Sequence, residues 1–188
     1  MTLNNIIFQE DDSSGYKSRT VKNASADVTI AIAYDFNSAG EKLTKQSVIS
    51  QEKLYLPVDI NSLTTKENIS SIAKKLSQQI KNLNKKEIIL NIAGNGLYTL
   101  RESSFGNQNL IDVLTYTLLE NIVNDLKGHL SISTIRTGGQ TGFDEAGAKA
   151  GVKLGIPTLV LAPKGWTFRG ILAEDISNEE QFKKRFAN

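Results

Sequence analysis

The stretch that decides the fold of this chain is LSISTIRTGGQTGFD, residues 130–144. Its first six residues have the length and the apolar character of a β-strand. Three glycines follow within five residues, and an Ala- and Gly-rich segment of helical length then begins. A strand that passes through a glycine-rich turn into a helix is typical of the βαβ units of parallel sheets.

Short apolar runs of strand length recur in the rest of the chain, and few polar residues interrupt them. Continuous rather than alternating hydrophobicity favours strands that are covered on both faces, as they are in a parallel sheet. The runs predict five strands, at residues 28–33, 54–60, 87–93, 130–135 and 156–162.

Segments of helical period separate these strands. Thr64 with Glu67, and Ser177 with Glu180, have the spacing of capping boxes and predict the starts of two helices, the second of them short and terminal. The alternation of strands and helices predicts a Rossmann-like, doubly wound α/β fold with a mostly parallel sheet, helices on both faces and one domain over residues 1–188. The apolar stripes predict helices over residues 69–80, 110–126 and 143–154.

The residue counts exclude several kinds of chemistry. The 188 residues include no cysteine and one histidine, and 22 Lys and Arg against 20 Asp and Glu give a net charge of +2. Disulfides and thiolate metal sites are excluded, and one histidine is too few for a three-histidine site. We therefore expect no metal and no cofactor, and the near-neutral balance gives no reason to expect nucleic acid as a partner.

No targeting signal is visible in the sequence. The apolar cluster at residues 6–8 is too short for a signal peptide, because Glu10, Asp11 and Asp12 follow it at once. No stretch approaches the roughly 18 apolar residues of a membrane span. We expect a cytoplasmic protein without a membrane partner.

The glycine-rich loop at residues 138–142 is the first candidate for a ligand site, because ligands of doubly wound sheets bind beyond the carboxyl ends of the strands. Closely spaced glycine amides and the helix N-terminus behind them favour an anion such as phosphate, and Gln140 and Thr141 add polar side chains. The alternative is a tight turn that needs glycine only for its shape. Asp144 either binds a ribose or a metal, or interacts with the helix dipole.

Two further strand ends contain glycine. In the turn at residues 39–44, Glu41 either binds a ribose, acts as a general base or interacts with the dipole of the helix that begins there. Arg101 and Glu102 follow the turn at residues 93–96. Arg101 either clamps a phosphate or forms a surface ion pair with Glu102, and such a pair stabilises little.

A fourth loop, at residues 163–166, contains Lys164 and Trp166 and is followed by Arg169. The two cations would neutralise an anion, and the Trp166 ring either stacks on a base or covers the edge of the sheet. His129 lies in a helix-to-strand connection at the opposite edge, so we expect an exposed structural residue.

Several stretches of this chain resemble one known family. Residues 137–144 (TGGQTGFD), 155–157 and 163–165 are similar to the opening of the molybdenum-carrier family. That family belongs to the SLOG superfamily of Rossmann-like nucleotide-binding domains, which also includes the LOG phosphoribohydrolases. Residues 16–20, 23, 26–29, 39–44, 56–60, 90–94 and 101–103 are similar to later parts of the family. The blocks run in rotated order, so the chain resembles a circular permutant, which is possible where termini lie close together.

The chain departs from the family pattern at three places. Residues 39–41 are Ala-Gly-Glu where the family has Gly-Gly-Thr, and residues 95–100 replace a single proline, an insertion that could form a lid or a subunit contact. The hydrolase signature PGGxGTxxE of the LOG proteins is absent, and no soft ligand for molybdenum is present. The resemblance therefore implies a nucleotide-binding fold without an assigned catalytic activity.

These observations predict that the protein binds a nucleotide or a nucleotide-sugar, ADP-ribose-like or cyclic, and senses or sequesters it. The alternatives are a hydrolase that cleaves a glycosidic or phosphate bond of such a ligand, with Glu41 or Glu102 as general base, and an assembly protein whose pocket has decayed. Whether the protein is an enzyme stays open, and we expect a homo-oligomer. The candidate ligand-binding residues are Gly138, Gly139, Gln140, Thr141, Gly142, Asp144, Gly40, Glu41, Thr44, Gly94, Asn95, Arg101, Glu102, Ser103, Lys164 and Arg169.

Overall fold

Six parallel strands form the central sheet of this protein, whose computed structural model describes residues 5–187. The strands are β1 (Ile6–Glu10), β2 (Val28–Ala33), β3 (Leu54–Asp59), β4 (Glu87–Gly94), β5 (Ser131–Thr137) and β6 (Thr158–Ala162), and β7 (Thr167–Arg169) and β8 (Asp175–Ser177) form a separate antiparallel hairpin. The spatial order in the large sheet is β1-β6-β5-β4-β2-β3, and every neighbouring pair is parallel.

Within residues 5–187, seven helices flank the sheet. They are α1 (Tyr16–Asn23), α2 (Ala39–Ser50), α3 (Lys66–Lys81), α4 (Leu97–Leu100), α5 (Gln108–Leu126), α6 (Phe143–Lys153) and α7 (Glu179–Lys184). Helix α5 contacts both α3 and α6, and α1 and α2 contact each other. Because parallel crossovers are right-handed and the two groups connect strands in opposite directions, the groups cover opposite faces. The predicted doubly wound, Rossmann-like α/β fold is confirmed. Among residues 5–187, no helix has the length and apolar character that crossing a membrane requires.

The chain reverses its direction across the sheet between β2 and β4. From β2 it steps outward to the edge strand β3, whereas from β4 it steps the other way to β5 and β6. Strands β2 to β6 therefore have the flavodoxin-type doubly wound order, in which a crevice opens at the carboxyl ends of the two diverging strands.

Two hydrophobic clusters hold these layers together. The larger packs the central strands against α3, α5 and α6, and all six residues of β2 are buried. The smaller is aromatic: Phe168, Phe182 and Phe186 pack with Val160 of β6 and Ala148 of α6. The rings of Phe8 and Phe186 lie 5.3 Å apart, so the two ends of the described chain are neighbours. A circular permutation requires this proximity of the ends.

All five predicted strands are present, and the strand at residues 28–33 is confirmed to the residue. Both predicted helix caps are wrong by one position. Thr65, not Thr64, caps α3, because its extended backbone lets Oγ1 accept from the Asn68 amide (3.2 Å). Ser177 belongs to β8, and Asn178 Oδ1 caps α7 by accepting from the Gln181 amide (2.8 Å).

Four elements were not predicted: β1, α1, α4 and the β7–β8 hairpin. Helix α1 (YKSRTVKN) has no apolar stripe, and the residues that it buries are polar, Arg19 and Asn23. Tertiary packing rather than hydrophobic periodicity therefore places this helix, which matters because it forms a wall of the site described next.

Candidate ligand-binding site

A cavity of about 400 Å³ opens at the carboxyl edge of the sheet, beside the ends of β2 and β4. Small-molecule sites span roughly 300–1,000 Å³. Parts of α1 and α2, the residues after β4 and the glycine-rich loop after β5 form its walls. The lining residues are Tyr16, Arg19, Thr20, Asn23, Ser38, Ala39, Gly40, Glu41, Leu43, Thr44, Asn91, Ala93, Gly94, Asn95, Gly96, Tyr98, Thr99, Gly138, Gln140, Thr141, Asp144 and Arg169.

Ten of the sixteen candidate residues line the cavity. Nine of them belong to the segments after β2, β4 and β5, and the tenth, Arg169, follows the fourth loop at residues 163–166. The ten are Gly40, Glu41, Thr44, Gly94, Asn95, Gly138, Gln140, Thr141, Asp144 and Arg169. Outside its lining lie Gly139, Gly142, Arg101, Glu102, Ser103 and Lys164.

Asp144, the second residue of α6, turns its carboxylate back onto the glycine-rich loop. Its Oδ2 accepts from the Gln140 amide (3.3 Å), and the Gly138 amide lies close to the same carboxylate. A Cβ on Gly138 would lie 2.6 Å from Oδ2, so only glycine fits there. Burial raises the pKa of Asp144 to about 6, although Arg19, Arg185 and the two amides oppose the shift. The carboxylate is therefore ionised at neutral pH.

Glu41, in the first turn of α2, is 4% exposed, and its Oε2 has no hydrogen-bond partner among residues 5–187. Burial, then the negative charges of Asp144 and Asp35, raise the pKa of Glu41 to about 8. Glu41 in turn adds to burial in raising the pKa of Tyr55 to about 12. At pH 7 the cavity thus contains one protonated and one ionised carboxyl group.

Helix α1 contributes a wall that the sequence analysis missed. Tyr16, Arg19, Thr20 and Asn23 all line the cavity. Their spacing of three, four and seven residues puts them on one helical face, a polar stripe that could have identified the helix and the site. Arg19 is 3% exposed, and burial lowers its pKa while the charge of Asp144 opposes this.

Three buried polar atoms of the lining lack a hydrogen-bond partner within the described part of the chain. They are Arg19 Nη1, Glu41 Oε2 and Asn91 Oδ1. Asn91 Nδ2 donates to Thr29 Oγ1 (3.2 Å) in the neighbouring strand, and Asn91 Oδ1 has no partner among residues 5–187. Buried polar atoms are nearly always paired in folded proteins, so three such atoms around one cavity suit a polar ligand.

Gly139 and Gly142 shape the loop rather than line the cavity. Both have a positive φ (+72° and +84°). A Cβ on Gly139 would lie 2.5 Å from the Phe182 ring, and one on Gly142 would lie 2.3 Å from the Asn95 carbonyl oxygen. The Gly142 amide donates to Gln108 Oε1 (2.7 Å), and its carbonyl accepts from Gln108 Nε2 (2.9 Å).

Gln140 and Thr141 anchor the β7–β8 hairpin over the loop. Gln140 Nε2 donates to the Thr167 carbonyl (3.1 Å), and Thr141 Oγ1 donates to the Arg169 carbonyl (2.8 Å). Arg169 thereby reaches the cavity, while its guanidinium pairs with both oxygens of Asp175 (2.8 and 3.0 Å). Its charge is already matched, so it is a weaker anion site than the sequence suggests.

The insertion at residues 95–100 contains α4 and forms a cavity wall. Leu100 is fully buried in the core, and Tyr98 lines the cavity. Arg101 stacks on the Tyr98 ring, 3.9 Å from its centroid, and pairs with Glu102 (3.2 Å) outside the cavity. Ser103 Oγ donates to the Leu100 carbonyl (2.7 Å). The surface ion pair of Arg101 and Glu102 is thus the interpretation that the geometry supports.

Asn95 holds the two diverging strand ends together. Its Oδ1 accepts from the amides of Tyr34 and Asp35 (2.8 and 2.9 Å), and its Nδ2 donates to the Asp35 carbonyl (3.3 Å). Every polar atom of this side chain has a partner, so Asn95 is a positioning residue for the loop after β2.

The loop at residues 163–166 lies away from the cavity. Lys164 is exposed, and its amide donates to the Ser13 carbonyl (3.1 Å). The Trp166 ring packs edge-on against Phe182, with 5.5 Å between centroids, as a cover of the aromatic cluster. His129 is exposed in the turn after α5, as predicted.

A scan against protein-family models found no match for this chain, and a search of curated proteins found no relative. By fold and site, the chain is a Rossmann-like α/β protein with a polar cavity at the point where its strand order reverses. Its function has to be inferred from the chemistry of that cavity.

Proposed function

We propose that this cavity binds a nucleotide or a nucleotide-sugar, such as an ADP-ribose-like or cyclic signalling nucleotide, which the protein senses or sequesters. One observation carries the proposal: Arg19, Glu41 and Asn91, which line a cavity of small-molecule size, each have a buried polar atom without a hydrogen-bond partner among residues 5–187. An unsatisfied buried polar group costs about 1–3 kcal/mol, so a ligand that pairs with these atoms gains that free energy.

Aromatic side chains support a ligand that carries a base. Tyr16 and Tyr98 both line the cavity, and Tyr16 is 49% exposed. The Arg169 guanidinium lies 5.9 Å from the Tyr98 ring centroid. Stacking of a base on an aromatic side chain contributes about 1–3 kcal/mol. The resemblance of residues 137–144 to the SLOG superfamily points to the same ligand class.

The direct test is calorimetric titration of the purified protein with ADP-ribose, NAD and cyclic nucleotides. Gly40 offers a matched pair of variants, because it lines the cavity and a Cβ there meets nothing within 4 Å. Gly40→Leu should fill the cavity and abolish binding, whereas Gly40→Ala should retain it. Absence of binding across the panel, or unchanged affinity in Gly40→Leu, would refute the proposal.

A second function, hydrolysis of such a ligand, is favoured by the two carboxyl groups. Pairs of acids whose environments separate their pKa values divide the roles of acid and base. Glu41, with a pKa of about 8, would donate a proton to the leaving group, and Asp144, with a pKa of about 6, would accept one from the attacking water. Glu41 would then act as the general acid rather than the general base.

Mass spectrometry of the recovered ligand separates the two functions. Intact ligand after prolonged incubation supports binding alone, and the two hydrolysis products support the enzyme. For an enzyme, Glu41→Gln should lower turnover by about 100-fold or more while the ligand still binds. Glu102→Gln is the control, because the side chain of Glu102 is 83% exposed and outside the cavity.

A further inference from the structure

The Asp144 carboxylate already lies against the glycine-rich loop at residues 138–142. Glycine-rich turns ahead of a helix bind phosphate because several backbone amides point into one concave space. Here the Gln140 amide donates to the carboxylate of Asp144 (3.3 Å), and the Gly138 amide lies close to the same carboxylate. The Gly142 amide donates to the Gln108 side chain (2.7 Å). Part of the loop's donor set, the amides of Gln140 and Gly142, is therefore already in use.

The charges around the loop also argue against a phosphate bound there. Arg19 and Arg185 both stabilise the ionised form of Asp144, and the N-terminus of α6 adds its partial positive charge. Arg185 also pairs with Glu145 (2.8 Å) and donates to the Gly139 carbonyl (2.6 Å). A second anion placed at the loop would meet the charge of Asp144 at close range without any unmatched cation to offset it.

The unpartnered atoms of the lining describe the group that fits instead. Glu41 Oε2 and Asn91 Oδ1 are buried oxygens without a hydrogen-bond partner among residues 5–187. Asp144 adds ionised oxygens, and Arg19 Nη1, on a side chain that is 3% exposed, is a donor without a partner in the described part of the chain. The protonated carboxyl group of Glu41 adds a second donor. Walls with several acceptor oxygens and two donors suit a neutral group that both donates and accepts hydrogen bonds, as adjacent hydroxyls do.

We infer that the loop end of the cavity binds the vicinal hydroxyls of a ribose rather than a phosphate, because Asp144 fills the loop's own anion site. This inference rests on the proposed function. The phosphates of the ligand then lie outside the glycine-rich loop. Asp144 is accordingly a specificity-determining residue that accepts hydroxyls and excludes anions.

Sulfate is a suitable probe of the loop, since it remains a dianion throughout the relevant pH range and has the shape of a phosphate group. At pH 7.5, sodium sulfate titrated into ¹⁵N-labelled wild-type protein should leave the amide resonances of residues 138–142 without a saturable shift. Asp144→Ala frees the Gln140 amide and the charge of Arg19, so its dissociation constant for sulfate at these resonances should fall by about 10-fold or more. Glu102→Gln, at a side chain that is 83% exposed and lies outside the cavity, is the control and should behave as wild type.

Saturable sulfate binding at residues 138–142 of the wild-type protein would overturn the inference without any variant. So would a folded Asp144→Ala protein with no gain. Should Asp144→Ala fail to fold, Asp144→Asn removes the charge at nearly constant volume and should show the same gain, whose absence counts equally against the inference.

Comparison of ADP with 2′,3′-dideoxy-ADP separates this inference from the proposed function. ADP should bind at least about 10-fold more tightly because the analogue lacks the vicinal hydroxyls, and equal affinity overturns the inference while the proposed function stands. If neither compound nor any other nucleotide binds, the proposed function fails, and the sulfate titration still decides whether Asp144 fills the anion site.

Discussion

Two glycine-containing strand ends meet at the cavity, and they differ in how much freedom they have. After β5, a Cβ on Gly138, Gly139 or Gly142 would lie within 2.6 Å of another atom. After β2, a Cβ on Gly40 would meet nothing within 4 Å, and Glu41 beside it keeps an oxygen without a partner. The loop with more glycines is the more closely packed of the two.

This difference teaches that glycine density marks close packing more directly than it marks ligand contact. In the loop after β5, glycine admits Asp144, Phe182 and the Asn95 backbone at distances that no other residue allows. In the turn after β2, the space around the Cβ position of Gly40 is open, and Glu41 follows Gly40 in the chain. Four substitutions test whether the loop after β5 has a structural role and whether the turn after β2 contacts the ligand.

The largest effect is expected from Gly142→Ala. Position 142 has φ +84° and ψ −132°, and its Cβ would lie 2.3 Å from the Asn95 carbonyl oxygen. Backbone strain and the clash together should lower the free energy of unfolding by about 4 kcal/mol. Urea denaturation measures this loss, and Gly155→Ala, with φ +72° but open space around it, is the matched control for strain alone. Equal losses in the two variants would contradict the packing argument.

Glu41→Gln should stabilise the protein in a pH-dependent way. Because folding raises the pKa of Glu41 from 4.5 to about 8, the folded protein keeps a proton that the unfolded chain releases, and stability falls as pH rises between these values. The variant should lack this slope and gain about 4 kcal/mol at pH 8 over the wild type, with little difference at pH 4. Denaturation curves at pH 4, 6 and 8 measure it. A pH-independent difference would mean that Glu41 is ionised in the folded state.

Gln108→Ala removes both hydrogen bonds to the Gly142 backbone. The Gly142 amide and carbonyl then lose their partners, which should cost about 2 kcal/mol. Thermal unfolding measures the cost, and Asn109→Ala on the exposed side of α5 is the control. The loop amides of residues 138–142 should also exchange faster with solvent. Unchanged exchange would show that the loop keeps its shape without Gln108.

The smallest effect is expected from Gly40→Ala. The position is helical, has free space and lies in the first turn of α2, so alanine should raise the free energy of unfolding by about 0.5 kcal/mol. A precise urea midpoint measures this gain. Destabilisation by more than the error of the measurement would contradict the description of the turn after β2 as open.

Hydrophobic pattern predicted the strands and the long helices, because those elements are buried against each other and their periods follow directly from burial. The order of the strands in the sheet could not be predicted from the sequence, because several strand orders bury the same apolar faces. The wall from α1 was missed for a different reason: Arg19 and Asn23 are buried polar residues, and their environment arises only when α2 and the loop after β5 pack beside them. Glu41 and Asp144 were predicted as candidates, but their raised pKa values depend on burial that no local pattern reveals.

The sequence by itself determined the class of fold, the chemistry that a chain without cysteine and with one histidine excludes, and which strand ends carry polar residues. Only the tertiary structure decided which of those ends share a cavity and which polar atoms stay unpartnered. The physical reason is that secondary structure follows from near neighbours in the chain, whereas a site follows from contacts between residues far apart in it. Asp144 illustrates this: the sequence shows only an aspartate in the first turn of a helix. Its position beside Gly138, Gln140 and Arg19 is decided by the tertiary structure.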